Sequence, residues 1–362
     1  MKVVLSIFCA CFILFFSSCV KQVDVKLRNE APILVVEGNI STDTIPYTVK
    51  LTYSGQIAYS DEIPDQYLEK NARVIIIDNL GDSTSLVYTG EQGVYQTTDA
   101  TYIGQVGRSY SVRVELPTGK IFISKPELIK APVPVSALNI VFDDKFDFNY
   151  PTKLKVYADV NDPSNEENYY KWDFIAWTMR QTHGVPCGFG CLEFEYCYQL
   201  QPNNDINIYS DEAVNGNVIK NHYMGQSYIY TFGNHFIEIK QSSISRDAYL
   251  FWQSFKDQTT RTGSILDPLP ASIKGNVYNQ SNPEEFALGY FSASSVTHKK
   301  ALLIPYNITP YLLEISAAEL IPPGSVACFD YFPNSIAYGP QPAPQYPGPS
   351  GWENAEQIEV HW

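Results

Sequence analysis

Apolar and polar residues alternate at period two along most of the chain. Arg73-Val-Ile-Ile-Ile-Asp78, Ser85-Leu-Val-Tyr88, Ser109-Tyr-Ser-Val-Arg-Val114 and Ile121-Phe-Ile-Ser124 each place branched or aromatic side chains on one flank, as half-buried strands do. Asn79-Leu-Gly81-Asp82, Gly90 to Gly93 and Pro117-Thr-Gly119-Lys120 punctuate them as turns. Ile33–Ile40 reads as an earlier strand ending at a turn or bulge on Gly38-Asn39, and Tyr47–Thr52 as its successor. A second series follows: Leu138–Phe142, Lys153–Val160, Tyr169–Met179, Ile273–Tyr278, Ala287–Phe291 and Lys300–Ile304. Short strands at regular spacing predict β-sandwiches.

Two segments break the alternation. Ser245–Gln258 is predicted to be a helix: Ser245 caps it, Asp247 sits in its first turn, and Tyr249, Trp252 and Phe255, or Leu250, Phe251 and Ser254, recur at helical spacing. Val3–Phe16 is almost wholly apolar, follows Lys2 and ends in Ser17-Ser18-Cys19. It has the form of an export signal and is shorter than the roughly 20 residues needed to span a bilayer. Small residues before a cysteine resemble a bacterial lipobox, with Phe16 where Leu is usual, so Cys19 is the expected lipidation site.

The expected organisation is a signal at 1–18, a lipidated tether at 19–31 and a first β-sandwich at 32–131. A second sandwich at 132–335 carries an insertion near 180–235, and a Pro-rich tail occupies 336–362. The prolines of Lys130-Ala-Pro132-Val-Pro134 set the boundary between the sandwiches. The fold class is all-β: two Ig-like or prealbumin-like sandwiches, a cysteine-containing insertion and one short helix. Ala72-x-Val74-x-Ile76-x-Asp78, Gly93-x-Tyr95, Gly107-x-x-Tyr110-x-Val112-x-Val114 and Gly119-Lys120 resemble a carboxypeptidase-regulatory-like module.

Hydrophobic residues make up 44% of the 362 and aromatics 14%, enough for large cores. The net charge of −14 argues against nucleic acid as a partner and against electrostatic docking to anionic lipid. Attachment to a membrane then depends on the lipid. Of seven cysteines, Cys9 and Cys11 leave with the signal and Cys19 takes the lipid. Cys187, Cys191, Cys197 and Cys328 remain, an even number that reads as two disulfides in an exported chain. If Cys191 and Cys197 flank one extended strand, they are too far apart to pair. Cys187–Cys191 and Cys187–Cys197 stay open, with the remaining cysteine reaching Cys328.

Asp267-Pro-Leu-Pro270, Ile273-Lys-Gly-Asn-Val-Tyr-Asn279, Asn282-Pro-Glu-Glu285 and Leu288-Gly-Tyr-Phe-Ser-Ala-Ser294 resemble the signature of the DUF4249 family of Bacteroidetes exported lipoproteins. Leu34-Val-Val-Glu-Gly38, Asn168-Tyr-Tyr-Lys-Trp172 and the late Cys328 fit the same family. A Pro-rich run stands where members often carry a C-x-x-C pair and a Gly-rich segment. The resemblance implies a surface lipoprotein of the outer membrane that cooperates with a TonB-dependent receptor in uptake.

No catalytic or cofactor motif is present, so no cofactor and no enzyme activity are expected. Gly225-Gln-Ser227-Tyr-Ile lacks the second Gly of a nucleophile elbow. The spacing of Cys187, Cys191 and Cys197, with His183 nearby, does not fit a zinc site. Asp159, Asn161 and Asp162 offer oxygens to Ca²⁺ but lack the EF-hand order, and the loop from 159 to 168 reads as a solvated turn. Trp172, Trp177, Tyr196, Tyr198, Tyr223, Tyr228 and Tyr230 make the middle of the chain aromatic-dense. Strand alternation sends about half of such residues to a core and leaves the rest as a ligand face. The functional expectation is ligand capture or a lid-like role beside a TonB-dependent transporter. The alternative is adhesion to glycan or protein through the aromatic middle.

Overall fold

Residues that alternate in the sequence alternate in burial, and this builds the first core. In the computed structural model the first series comprises β1 (Leu34–Ser41), β2 (Thr48–Tyr53), β3 (Arg73–Asp78) and β4 (Ser83–Tyr88). It continues with β5 (Val94–Thr97), β6 (Ser109–Glu115), β7 (Ile121–Ser124) and β8 (Glu127–Leu128). Along β6, Tyr110, Val112 and Val114 are buried between partly exposed neighbours. The second series holds β9 (Val135–Phe142), β10 (Thr152–Asn161), β11 (Tyr169–Gln181), β12 (Val185–Gly188), β13 (Cys191–Glu193), β14 (Tyr196–Pro202), β15 (Asn207–Ser210), β16 (Val218–Ile229) and β17 (His235–Ser243). Helix α1 (Arg246–Thr259) follows, then β18 (Lys274–Asn279), β19 (Asn282–Leu288), β20 (Phe291–Leu303), β21 (Ile336–Tyr338) and β22 (Glu356–Gln357).

The described residues are 32–55, 63–142, 152–181, 185–188, 191–193, 196–203, 205–213, 215–229, 234–260, 273–303, 336–338 and 355–357. Cys19, Tyr230 and Cys328 lie outside them. So do the side chains of Cys187, Cys191, Tyr196 and Cys197, although their backbone positions are described.

The first sandwich closes on itself. Its pairings run β1–β2–β5–β4–β3–β6–β7–β18–β19 and return to β1 through Val35 opposite Leu288. Strands from residues 274–293 therefore complete a core begun at Leu34, and Val277, Ala287, Phe291 and Ala293 are buried in it. β1 continues through Gly38-Asn39 rather than turning there, because β20 pairs alongside from Gly38 to Ser41. At Gly38 an added Cβ would stand 2.8 Å from Val49 Cγ2.

The second sandwich sets a three-stranded sheet, β9–β10–β16, over a sheet built on β11, β17 and β20. β14 and β15 pair with successive halves of β11. Within the region expected as a cysteine-containing insertion, residues 218–229 thus supply an edge strand of the upper sheet. The apolar run Ala287–Phe291 is broken between β19 and β20 at Gly289, whose φ is +80°. There an added Cβ would lie 2.4 Å from Val36 O.

β20 belongs to both sandwiches. Residues 291–294 pair with β1 and residues 295–303 pair with β17. Phe291 and Ala293 enter the first core, and Ala301 and Leu303 the second. One uninterrupted strand thus carries the chain from one core into the other. At the crossing, Asp43 from the loop after β1 meets Lys240 (2.9 Å) and His298 (3.2 Å), and His298 also meets Glu238 (2.6 Å).

Candidate functional site

Helix α1 starts where the sequence places it. Ser245 caps it by accepting from Ala248 N at 3.1 Å, and donates in turn to the buried Glu127 at 2.6 Å. Ala248 and Phe251 pack with Tyr169 at the start of β11 and with Ile244 and Tyr290. This leaves Trp252, Phe255, Lys256 and Thr259, one helical face by their spacing, as one wall of a groove of about 750 Å³. Tyr223 and Met224 of β16 form the opposite wall, His222 of the same strand and Asn207 of β15 the floor, and the link between β14 and β15 supplies Asn203, Asp205 and Ile206. The size suits a small ligand. Tyr223 and Phe255 line the groove at 41% and 43% exposure, the Tyr223 ring edge-on to Tyr157 at 5.6 Å and the Phe255 ring against Trp252 at 6.2 Å.

The floor is held in place by its own hydrogen bonds. His222 Nε2 lies 2.9 Å from Asn207 Oδ1, and its ring packs 4.6 Å from Trp172 and 5.5 Å from Tyr209. Burial, reinforced by Lys256, pushes the His222 pKa down, so the imidazole is neutral and donates Nε2–H to Asn207. The Lys171 ammonium sits 5.3 Å from the Trp252 ring centroid. Asp205 and Lys256 line the groove, and neither is in an ion pair among the described residues.

Of the seven aromatic residues expected on a ligand face, only Tyr223 among those with described side chains reaches this groove. Trp172 is 2% exposed and Tyr198 0%, which removes both from any solvent-facing surface. Trp172 lies in the second core, donating to Gln241 at 2.7 Å, and supports the groove from beneath through His222. Trp177 and Tyr198 pack with Met179 and Phe236 in a separate cluster. Tyr228 is half-buried over Lys153. Trp172 follows the alternation to the face of β11 turned towards the upper sheet, with Tyr170, Phe174 and Ala176, and Tyr198 of β14 is buried against Met179 and Phe236. Trp252 and Phe255 are groove aromatics outside the set expected for a ligand face. The signal was present in the helix, which carries more aromatic side chains than one buried face can take.

The oxygens considered for Ca²⁺ are engaged separately. Asp159 accepts from Asn221 N at 2.7 Å and Asn161 is exposed. Asp162 is buried and accepts from Tyr170 (2.5 Å) and from Gly216 N (2.9 Å). Asp211 accepts from Asn168 N at 2.8 Å, and burial, with Asp162 adjacent, raises its pKa. The segment expected to be a solvated turn is therefore pinned by buried carboxyl groups, with Asn168 donating to Glu166 O at 3.0 Å.

Ser227 Oγ lies 3.0 Å from His235 Nε2 and 3.1 Å from Gln201 Oε1. Gln201 donates its amide to Tyr228 O at 2.9 Å, which turns its oxygen towards Ser227. Ser227 then donates to Gln201 and accepts from His235. Burial pushes the His235 pKa down to about 3. Its proton-bearing nitrogen faces the hydroxyl, an arrangement that packs the two side chains and does not activate the serine.

Comparison with known proteins gives one family: the model described as "Domain of unknown function (DUF4249)" matches residues 20–300. No curated protein matches the chain.

Proposed function

The chain belongs to the DUF4249 family, and from that premise we propose that it is a ligand-capturing lipoprotein of the outer membrane. It is anchored through Cys19, faces the cell surface and serves a TonB-dependent transporter. The observation that carries this reading is the groove between α1 and β16, with exposed Tyr223 and Phe255 over a floor fixed by the Asn207–His222 hydrogen bond. A fixed floor lowers the ordering cost of binding, which suits capture. The lipid supplies the membrane attachment that an acidic surface lacks. The strand shared by the two sandwiches suits a lid-like part, since a push on one core reaches the other without a flexible linker.

Affinity capture of the tagged full chain from detergent-solubilised outer membranes tests the reading. Recovery of a TonB-dependent receptor with the chain supports it. A receptor isolated intact from the same membranes without the chain contradicts it. Surface binding that persists after deletion of the receptor gene points to the adhesive alternative.

A further inference from the structure

This inference rests on the reading of the groove as a capture site. The geometry points to a neutral oligosaccharide as its ligand. The first reason is a strand edge that is closed. β16 pairs with β10 on one side only, so its other edge would ordinarily offer backbone groups to an extended peptide. Here side-chain amides from the lower sheet already occupy that edge. Asn207 donates to Tyr223 O (2.8 Å) and Asn203 to Met224 O (3.3 Å). Gln201 takes both polar backbone groups of Tyr228, each at 2.9 Å. Strand addition, the general way a groove beside a sheet holds a peptide main chain, has no free partner along these positions.

What remains accessible is ring surface and a few polar atoms. Tyr223 and Phe255 present exposed rings, and sugar rings pack their C–H faces on such surfaces because the aromatic face is electron-rich. Asp205 provides an acceptor for hydroxyl groups and Lys256 a donor. One carboxylate and one ammonium leave the groove without a charge bias, and a chain of net charge −14 does not attract an anionic ligand. A volume of about 750 Å³ accommodates a few sugar units.

The test is binding of the purified full chain, in detergent, to an array of neutral and anionic oligosaccharides and to a library of short peptides. Phe255→Ala and Tyr223→Ala are run beside the wild type. Both positions are surface-exposed, and thermal unfolding confirms that each variant is folded. The expected result is binding to neutral oligosaccharides, about tenfold or more weaker in both variants. Peptide binding that both substitutions weaken overturns the sugar assignment and leaves ligand capture standing. Binding to neither class, or binding that neither substitution changes, overturns both.

Discussion

Tyr290 donates a 2.5 Å hydrogen bond to Glu127 where the two cores and the start of α1 meet. The same carboxylate accepts from Ser245, the helix cap, and from Asn276 of β18 at 3.2 Å. One buried acid therefore fixes where the groove's helical wall begins. Glu127→Ala leaves Tyr290 and Ser245 without their acceptor, and the expected loss is about 2–4 kcal/mol. Tyr290→Phe removes one donor only and is expected to cost about 1–2 kcal/mol. Urea unfolding midpoints compare the two.

Glu127 also sets a pH dependence. Burial raises its pKa despite three hydrogen bonds that favour the charged form. The native chain then holds this proton more tightly than the unfolded chain does. Its contribution is fully present below the unfolded carboxyl range and is lost as pH rises through the folded value. Glu127→Gln cannot titrate. The difference in unfolding free energy between wild type and variant, measured from pH 4 to pH 8, should change in that direction and then level off.

His298 gives a second slope of the same sign from a different cause. Its hydrogen bond to Glu238, with the Asp43 charge adding, raises its pKa above the usual value of about 6.5. Lys240 shares Asp43 and is the opposing cation. Stability from protonated His298 is complete below the unfolded value and lost as pH rises through the folded one. His298→Gln should remove that decline. An NMR titration of the imidazole should place its midpoint above 6.5, and a midpoint at or below 6.5 would contradict the assignment.

Gly289 and Gly119 both have positive φ, at +80° and +84°. At Gly119 an added Cβ meets nothing within 4 Å, whereas at Gly289 it meets Val36 O. Gly119→Ala should cost only the conformational penalty of an L-residue at positive φ, about 1–2 kcal/mol. Gly289→Ala must also push β1 and β19 apart, so its loss should be several-fold larger in the same thermal-unfolding experiment.

The helix and most strand cores were legible because their determinants are local. Ser245 and Asp247 mark a helix start in any context, and β3 is bounded by a turn at Gly81. The break at Gly289 was not legible. Ala287–Phe291 is uniformly apolar, and only the backbone of β1, more than 250 residues earlier in the chain, forbids a continuous strand there. The groove was half legible. Tyr223 was assigned to a ligand face, but its partner wall comes from α1. The amides that close β16 are ordinary polar residues until the two sheets are superposed. Trp172 and Tyr198 looked equivalent to Tyr223 in sequence; Trp172 faces the core between the sheets, Tyr198 packs against Met179 and Phe236, and Tyr223 stays exposed.

The most direct test of the central claim is hydrogen–deuterium exchange of the full chain with and without the oligosaccharide that gives the strongest array signal. Slower exchange confined to peptides covering 203–207, 222–224 and 252–260, with 34–53 unchanged, is the predicted result. Protection elsewhere with those three segments unaffected would contradict capture between α1 and β16.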